Sequence, residues 1–185
     1  LFFGVGTAWI ISRYSFPFRP VLEWLLVLPA AVPAYLVAYT YTDFMEYAGP
    51  VQTILRDVTG WKTSRDYWFP EIRSMGGAIL VMASVLYPYV FITARTAFRM
   101  TSMRLFEAAI VAGQSRLLAG ALPLARPGIV AGLALVLMEV VSDFGTVEYF
   151  AVDTITLGIF NVWLGMNNIT LAAQLALLAV VLIVF

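Results

Sequence analysis

Carboxylates and phenols carry most of the chemistry open to this sequence. It has no histidine and no cysteine, which removes imidazole bases, thiol nucleophiles, disulfides and Cys/His zinc sites together. Glu139 and Asp143 stand four residues apart inside the otherwise apolar run Gly128 to Val147, with Glu148 and Tyr149 just beyond; Tyr35 and Tyr39 lie in an earlier apolar run. On one continuous helix that spacing puts Glu139 and Asp143 on the same face. Counted from Gly128 at about 1.5 Å per residue, Glu139 is ~16 Å into the run, near the middle of a hydrocarbon layer about 30 Å thick. An acid there costs roughly 2.5–3.5 kcal/mol, so both are expected to face a bundle interior or a wet cavity. One reading is a translocation path lined by these carboxylates and phenols, a ligand set that suits a hard cation. The other is structural: Glu139 pairs with an arginine or caps a backbone break, and Asp143 marks a helix end. The pattern does not identify a resident metal.

A second constellation is FEAAIVAGQSRLLAGALPLARPGI. Glu107-Ala108-Ala109 starts a short helix with small side chains on one face, and Gly113 can turn the chain. Leu122-Pro123 and Arg126-Pro127-Gly128 are expected to close the loop before the next apolar run. Small side chains let another surface approach closely, and Glu107 offers a carboxylate to a cationic partner. The segment reads either as a helix presented to a soluble subunit or as an ordinary connection.

The elements that must position these groups are apolar helices. Of 185 residues 62% are apolar and 12% charged, against about 45–50% and 25% in soluble domains. Eleven basic residues balance eleven acidic ones, so no global field points to nucleic acid. Long apolar runs must be helical in lipid, because a lone segment has to satisfy its own backbone hydrogen bonds. Spans are expected over about 21–42, 77–98 and 128–147, with kinks at Pro29, Pro33 and Pro88. The shorter runs 1–12 and 171–185 read as spans cut short, making the whole an all-α, polytopic transmembrane bundle and a piece of a larger permease-like protein. The stretch 99–127 and its flank hold Arg95, Arg99, Arg104, Arg116 and Arg126 against Glu107 alone, and Arg13 and Arg19 fall on the same face. The positive-inside rule makes that face cytoplasmic. The loop 43–76 then lies outside, with turn signals at Gly49-Pro50, Thr59-Gly60 and Phe69-Pro70 around a short amphipathic helix, Val51 to Val58. Its Tyr67-Trp68-Phe69 cluster reads as an interfacial belt or a docking surface. The second external stretch, 148–170, includes Thr154 to Met166, too short to span and expected to be interfacial or re-entrant.

No motor is encoded. A phosphate-cradling loop needs Gly-x-x-x-x-Gly-Lys-Ser/Thr, and the only lysine sits in Gly60-Trp61-Lys62-Thr63. The chain is expected not to be an enzyme, to carry no cofactor, and to depend on ATP hydrolysed elsewhere.

Glu107-Ala108-Ala109, three residues, Gly113, then Leu122-Pro123 resembles the EAA loop of binding-protein-dependent ABC importer permeases. Leu86-Tyr87-Pro88-Tyr89-Val90, the stretch Met138 to Phe150 containing DFGTVEYF, Gly4 to Arg13 and Leu28 to Tyr35 are similar to the ferric-iron branch of that family. The resemblance implies a multi-pass permease of the bacterial inner membrane. It further implies an ABC ATPase dimer docked on the EAA loop, an external solute-binding protein, and a second permease half, fused or separate. Ferric iron is the expected cargo, with thiamine, sulfate or a polyamine as alternatives; an ATP-independent channel or secondary transporter is the rival of another class. The interval from Gly113 to Leu122 is shorter than the family pattern by nearly one helical turn.

Overall fold

The computed structural model describes residues 1–102, 107, 110, 111, 113 and 121–184. Among them the architecture is all-helical: α1 (Phe2–Arg13), α2 (Arg19–Val27) running into a 3-10 turn (Leu28–Ala31), α3 (Ala34–Met45), α4 (Pro50–Thr59), α5 (Met75–Met100), α6 (Leu122–Ser142), α7 (Gly145–Tyr149), α8 (Ile155–Phe160) running into a π-turn (Asn161–Gly165), and α9 (Ile169–Val184). By length and composition α5 and α6 can cross a membrane, and a third crossing follows if Arg19–Ala31 and Ala34–Thr59 form one broken span.

Local chemistry sets most of the helix ends. Proline stands in the first turn of α2 and of α4, where its missing N–H costs nothing. The α4 helix stops at Gly60, whose φ of +77° lets its amide reach back to the Arg56 carbonyl at 2.8 Å. Ser74 Oγ accepts from the Gly77 amide at 3.2 Å before α5, and Thr154 and Asn168 cap α8 and α9 in the same way.

Three expectations change. The run 21–42 is not one kinked helix: it breaks at Val32–Pro33, where Val32 is extended, because a residue before proline is pushed out of the α region. The loop read as 99–127 is shorter, since α5 continues to Met100 and α6 begins at Leu122. Leu122-Pro123 therefore opens a helix instead of closing a loop, because proline in a first turn lacks only an N–H that would be unpaired anyway. Finally, α6 ends at Ser142, so Asp143 lies off the helix and the shared face with Glu139 is lost.

The chain divides into two compact units, Leu1–Val32 with Ala83–Glu139, and Pro33–Met82 with Val140–Phe185. In the first, Ala8, Ile11, Leu26, Phe91, Ala94, Phe98, Ala121 and Ala125 form a buried core. Backbones approach closely there at glycines. A Cβ on Gly4 would meet the Tyr87 carbonyl oxygen at 2.9 Å, one on Gly128 the Thr93 carbonyl oxygen at 2.9 Å, and one on Gly132 the Val90 Cα at 2.8 Å and the Thr93 hydroxyl. Gly128 and Gly132 form a small-xxx-small pair, the spacing that lets membrane helices pack without a hydrophobic driving force. In the second unit α3 packs on α7, α8 and its π-turn pack on α9, and Phe150 is fully buried.

Gly132→Leu should therefore lower the thermal midpoint of the solubilised full-length permease by the equivalent of about 1–3 kcal/mol, the cost of overpacking a tight contact. Gly158→Ala, where the added carbon would meet nothing within 4 Å, should leave the midpoint unchanged or slightly higher. Equal effects of the two would refute the close-approach role.

Candidate functional site

The segment between α5 and α6 places Glu107, Ile110 and Val111 in helical conformation and all three exposed. Gly113 has φ +69°, its amide donates to the Ile110 carbonyl at 2.9 Å, and a Cβ added to it would meet nothing within 4 Å among the described residues. That is a turn closed by a left-handed residue, a conformation costing about 1–2 kcal/mol for any residue with a Cβ. Ala108 and Ala109 lie outside the described residues, as does the interval 114–120. Leu122 and Pro123 are half-buried in the first turn of α6.

Of the acids read as path residues, Glu139 stands exposed on α6 and Glu148 exposed on α7. Asp143 is half-buried and does local work: its Oδ1 accepts from the Thr146 amide at 2.9 Å across the break between α6 and α7. Asp143 thus stands just past the end of α6. The tyrosines do gather. The rings of Tyr39 and Tyr149 are 5.9 Å apart, and Tyr35 lies against Gly145 where a Cβ would approach its own at 3.2 Å. Among the described residues no group of three acids stands together as a metal site.

Sequence reasoning missed Arg73. Its guanidinium lies 4.9 Å from the Tyr149 ring centroid, and its Nε donates to Glu46 Oε1 at 2.6 Å. This hydrogen bond holds the Arg73 pKa above its ordinary value, with the charges of Glu46, Tyr149 and Asp43 adding to it. The Tyr39 hydroxyl bonds to Asp43, so one polar cluster joins α3, the loop before α5 and α7. Its only signal in the sequence is one arginine among mixed loop charge.

Beside it lies a cleft of about 590 Å³, lined by Glu46, Tyr47, Tyr67, Trp68, Glu71 and Arg73. A relay organises its wall: Arg56 Nη1 donates to the Tyr67 hydroxyl at 3.1 Å, which donates to Gln52 Oε1 at 2.6 Å, while Gln52 Nε2 donates to the Met45 carbonyl at 2.7 Å. The Tyr67-Trp68-Phe69 cluster is accordingly divided: Tyr67 is tied into the wall and stacked on Trp61, while Trp68 is 86% exposed. At the loop tip Asp66 Oδ2 accepts from the amides of Lys62 and Thr63 at 2.9 and 2.8 Å, and these bonds draw its pKa below the ordinary aspartate value.

No protein-family model matches the chain. It is 31% identical, over 87% of its length, to a probable molybdenum ABC transporter permease protein of Haloferax volcanii, covering 56% of that protein. It is 29% identical to the sulfate transport system permease protein CysT of Salmonella typhimurium, over 80% of this chain and 52% of the relative. It is also 29% identical to the spermidine/putrescine transport system permease protein PotB of Haemophilus influenzae, over 78% and 50%. These relatives are ABC-transporter permeases, and the chain spans little more than half their length at most. The sequence resemblance is supported at that level, and none of these three relatives is a ferric-iron permease.

Two outcomes are expected. Asp143→Ala should destabilise the full-length permease by about 1 kcal/mol, as loss of a cap does, and Asp143→Asn, which keeps the acceptor, should restore most of it in thermal unfolding. For Asp66, a lowered folded-state pKa means stabilisation that is complete above the unfolded pKa and is lost as pH falls through the folded one. Amide exchange at Lys62 and Thr63 should stay protected below about pH 4, the ordinary aspartate value, and speed up at every pH in Asp66→Ala.

Proposed function

We propose that this chain is a portion of the membrane-spanning permease of a binding-protein-dependent ABC importer, carrying a tetrahedral oxyanion such as molybdate or sulfate. The observation that carries the reading is the helical Glu107 segment closed by left-handed Gly113 between two spans, in a chain whose relatives are ABC-transporter permeases. Molybdenum and sulfate stand in the names of two of these relatives, which favours an oxyanion; a polyamine is the second reading, on the PotB similarity. Ferric iron, the expectation from the residues, draws support from neither the relatives nor an acid cluster among the described residues.

In this reading Arg95 to Arg126 faces the cytoplasm, and an ATPase dimer on separate polypeptides pushes on residues 107–123. A solute-binding protein delivers cargo on the opposite side, that of the loop 43–76. Glu139 supports a second permease half. It is exposed and is the one charged residue of α6 beyond Arg126, and facing acyl chains would cost roughly 2.5–3.5 kcal/mol. Another protein surface or a wet cavity lined by it removes that cost. The cell membrane of a bacterium or archaeon is the matching location.

The test is uptake by the full-length permease reconstituted in vesicles with its ATPase and binding protein. Labelled molybdate and sulfate should enter only with ATP, and ferric iron and putrescine should not. Glu107→Arg and Gly113→Trp should each cut transport-coupled ATPase activity at least about tenfold, the worth of one charge-assisted contact, with membrane levels unchanged. Uptake without ATP would sink the importer reading, and iron uptake would sink the oxyanion.

A further inference from the structure

Four arginines stand at the ends of three helices in the first unit, and one carboxylate, Glu23, pairs with two of them. Glu23 on α2 pairs with Arg95, and Arg99 Nη2 donates to Glu23 Oε1 at 3.1 Å. Arg13, closing α1, donates to the Phe98 carbonyl at 3.2 Å, one residue from Arg99, and sits 5.5 Å from the Trp9 ring centroid. Arg19, opening α2, is close enough to Arg95 for charge repulsion to act between them, as Arg99 is. Glu23 neutralises one of the charges of Arg19, Arg95 and Arg99. The remainder stays concentrated where two helix ends meet, and the Arg95 Nε is buried with no hydrogen-bond partner among the described residues. Such crowding of like charge is unfavourable by itself and becomes favourable around an anion.

The surroundings point to which anion. Tyr14, Phe18 and Trp24 flank the arginines and are 58%, 79% and 80% exposed. Aromatic rings beside arginines at the end of an apolar helix are the composition of a membrane interface. Phe18 is also held at φ +63°, a left-handed conformation that is uncommon for a bulky residue, and this leaves its ring outside the core. A ring kept there is well placed to enter the acyl region beneath a headgroup.

We propose that Arg13, Arg19, Arg95 and Arg99 bind the phosphate of an anionic phospholipid, with Phe18 and Trp24 against its acyl chains. Basic pockets at cytoplasmic helix ends recognise lipid headgroups in this way. The site rests on the membrane orientation proposed above but not on the cargo. Arg19 and Arg99 supply the charge that Glu23 leaves uncompensated, whereas the Arg95–Glu23 pair also ties α2 to α5.

The test is native mass spectrometry of the detergent-solubilised full-length permease titrated with dioleoyl-phosphatidylglycerol, dioleoyl-phosphatidylcholine or inorganic phosphate. Phosphatidylglycerol should be retained in preference to phosphatidylcholine, and the double variant Arg19→Gln/Arg99→Gln should weaken it at least about tenfold. Phe18→Gly, which relieves the backbone, should weaken lipid retention without lowering the thermal midpoint. Equal retention of the two lipids would overturn the proposal, as would unchanged affinity in a folded double variant. Binding of inorganic phosphate at the same site without lipid preference would also overturn it. So would loss of the ATPase subunit from the double variant with lipid retention intact, which would reassign the arginines to a protein contact.

Discussion

Apolar helices in lipid gain nothing from leaving water, so what holds them together is how closely their backbones can approach. In this protein that constraint falls on glycine. Gly4 on α1 and Gly128 and Gly132 on α6 each bring their helix against the backbone of α5, at Tyr87, Thr93 and Val90. Half of the apolar window of α5 is buried, against 11% of that of α6. The α5 helix is therefore the post on which α1 and α6 are mounted. The post is itself unusual, since Pro88 lies buried within it. A proline in mid-helix frees a carbonyl one turn back, and in a membrane such a break is tolerated where neighbouring helices enclose it.

Much of this was legible in the sequence, and the exceptions have physical causes. The apolar runs located α1, α5 and α9 to within two residues, because lipid leaves a long apolar segment no alternative to a helix, whereas α6 begins and ends five to six residues before the run read for it. The short helix Pro50–Thr59 was marked by Gly49-Pro50 and Thr59-Gly60, which set its ends through φ alone. Breaks inside apolar runs were harder to place. Proline at 29 and 33 announces a distortion, but hydropathy does not say whether the chain kinks or stops, and at Val32–Pro33 it stops. The same holds for Leu122-Pro123, where proline serves as well to start a helix as to end a loop. The glycine pair at 128 and 132 gave no sign of its partner, since what it contacts lies more than thirty residues away.

Charge shows a similar division. Arginines near a span end are readable as a topology signal from composition. The pairing of Arg95 and Arg99 with Glu23 requires that α2 and α5 come together, which sequence spacing does not encode. Arg73 is a sharper case. In the sequence it is one of several charges in a loop of mixed sign, but in the fold it lies over Tyr149 and is held by Glu46 at 2.6 Å. The tyrosines singled out by residue type do meet, at Tyr39 and Tyr149, and they meet around a cation that was not expected. The two phenols thus sit beside a guanidinium that Glu46 already holds, and not in a set of oxygen ligands alone.

The break between α6 and α7 answers to the same rule that lipid imposes on every helix here. The sequence MEVVSDFGTVEYF looks like the end of a span, and a continuous helix through it would have put two acids on one face. Instead α6 stops at Ser142 and the chain restarts at Gly145. The freed backbone groups are not left bare: Asp143 takes the Thr146 amide, and the Thr156 hydroxyl, from the first turn of α8, donates to the Val141 carbonyl. Irregular backbone at membrane depth survives only where protein or a water-filled cavity surrounds it. Here the two side chains supply part of that enclosure from within the chain itself. Glu139 stands one turn before the stop and is exposed, so in lipid it needs the same enclosure that the broken backbone does.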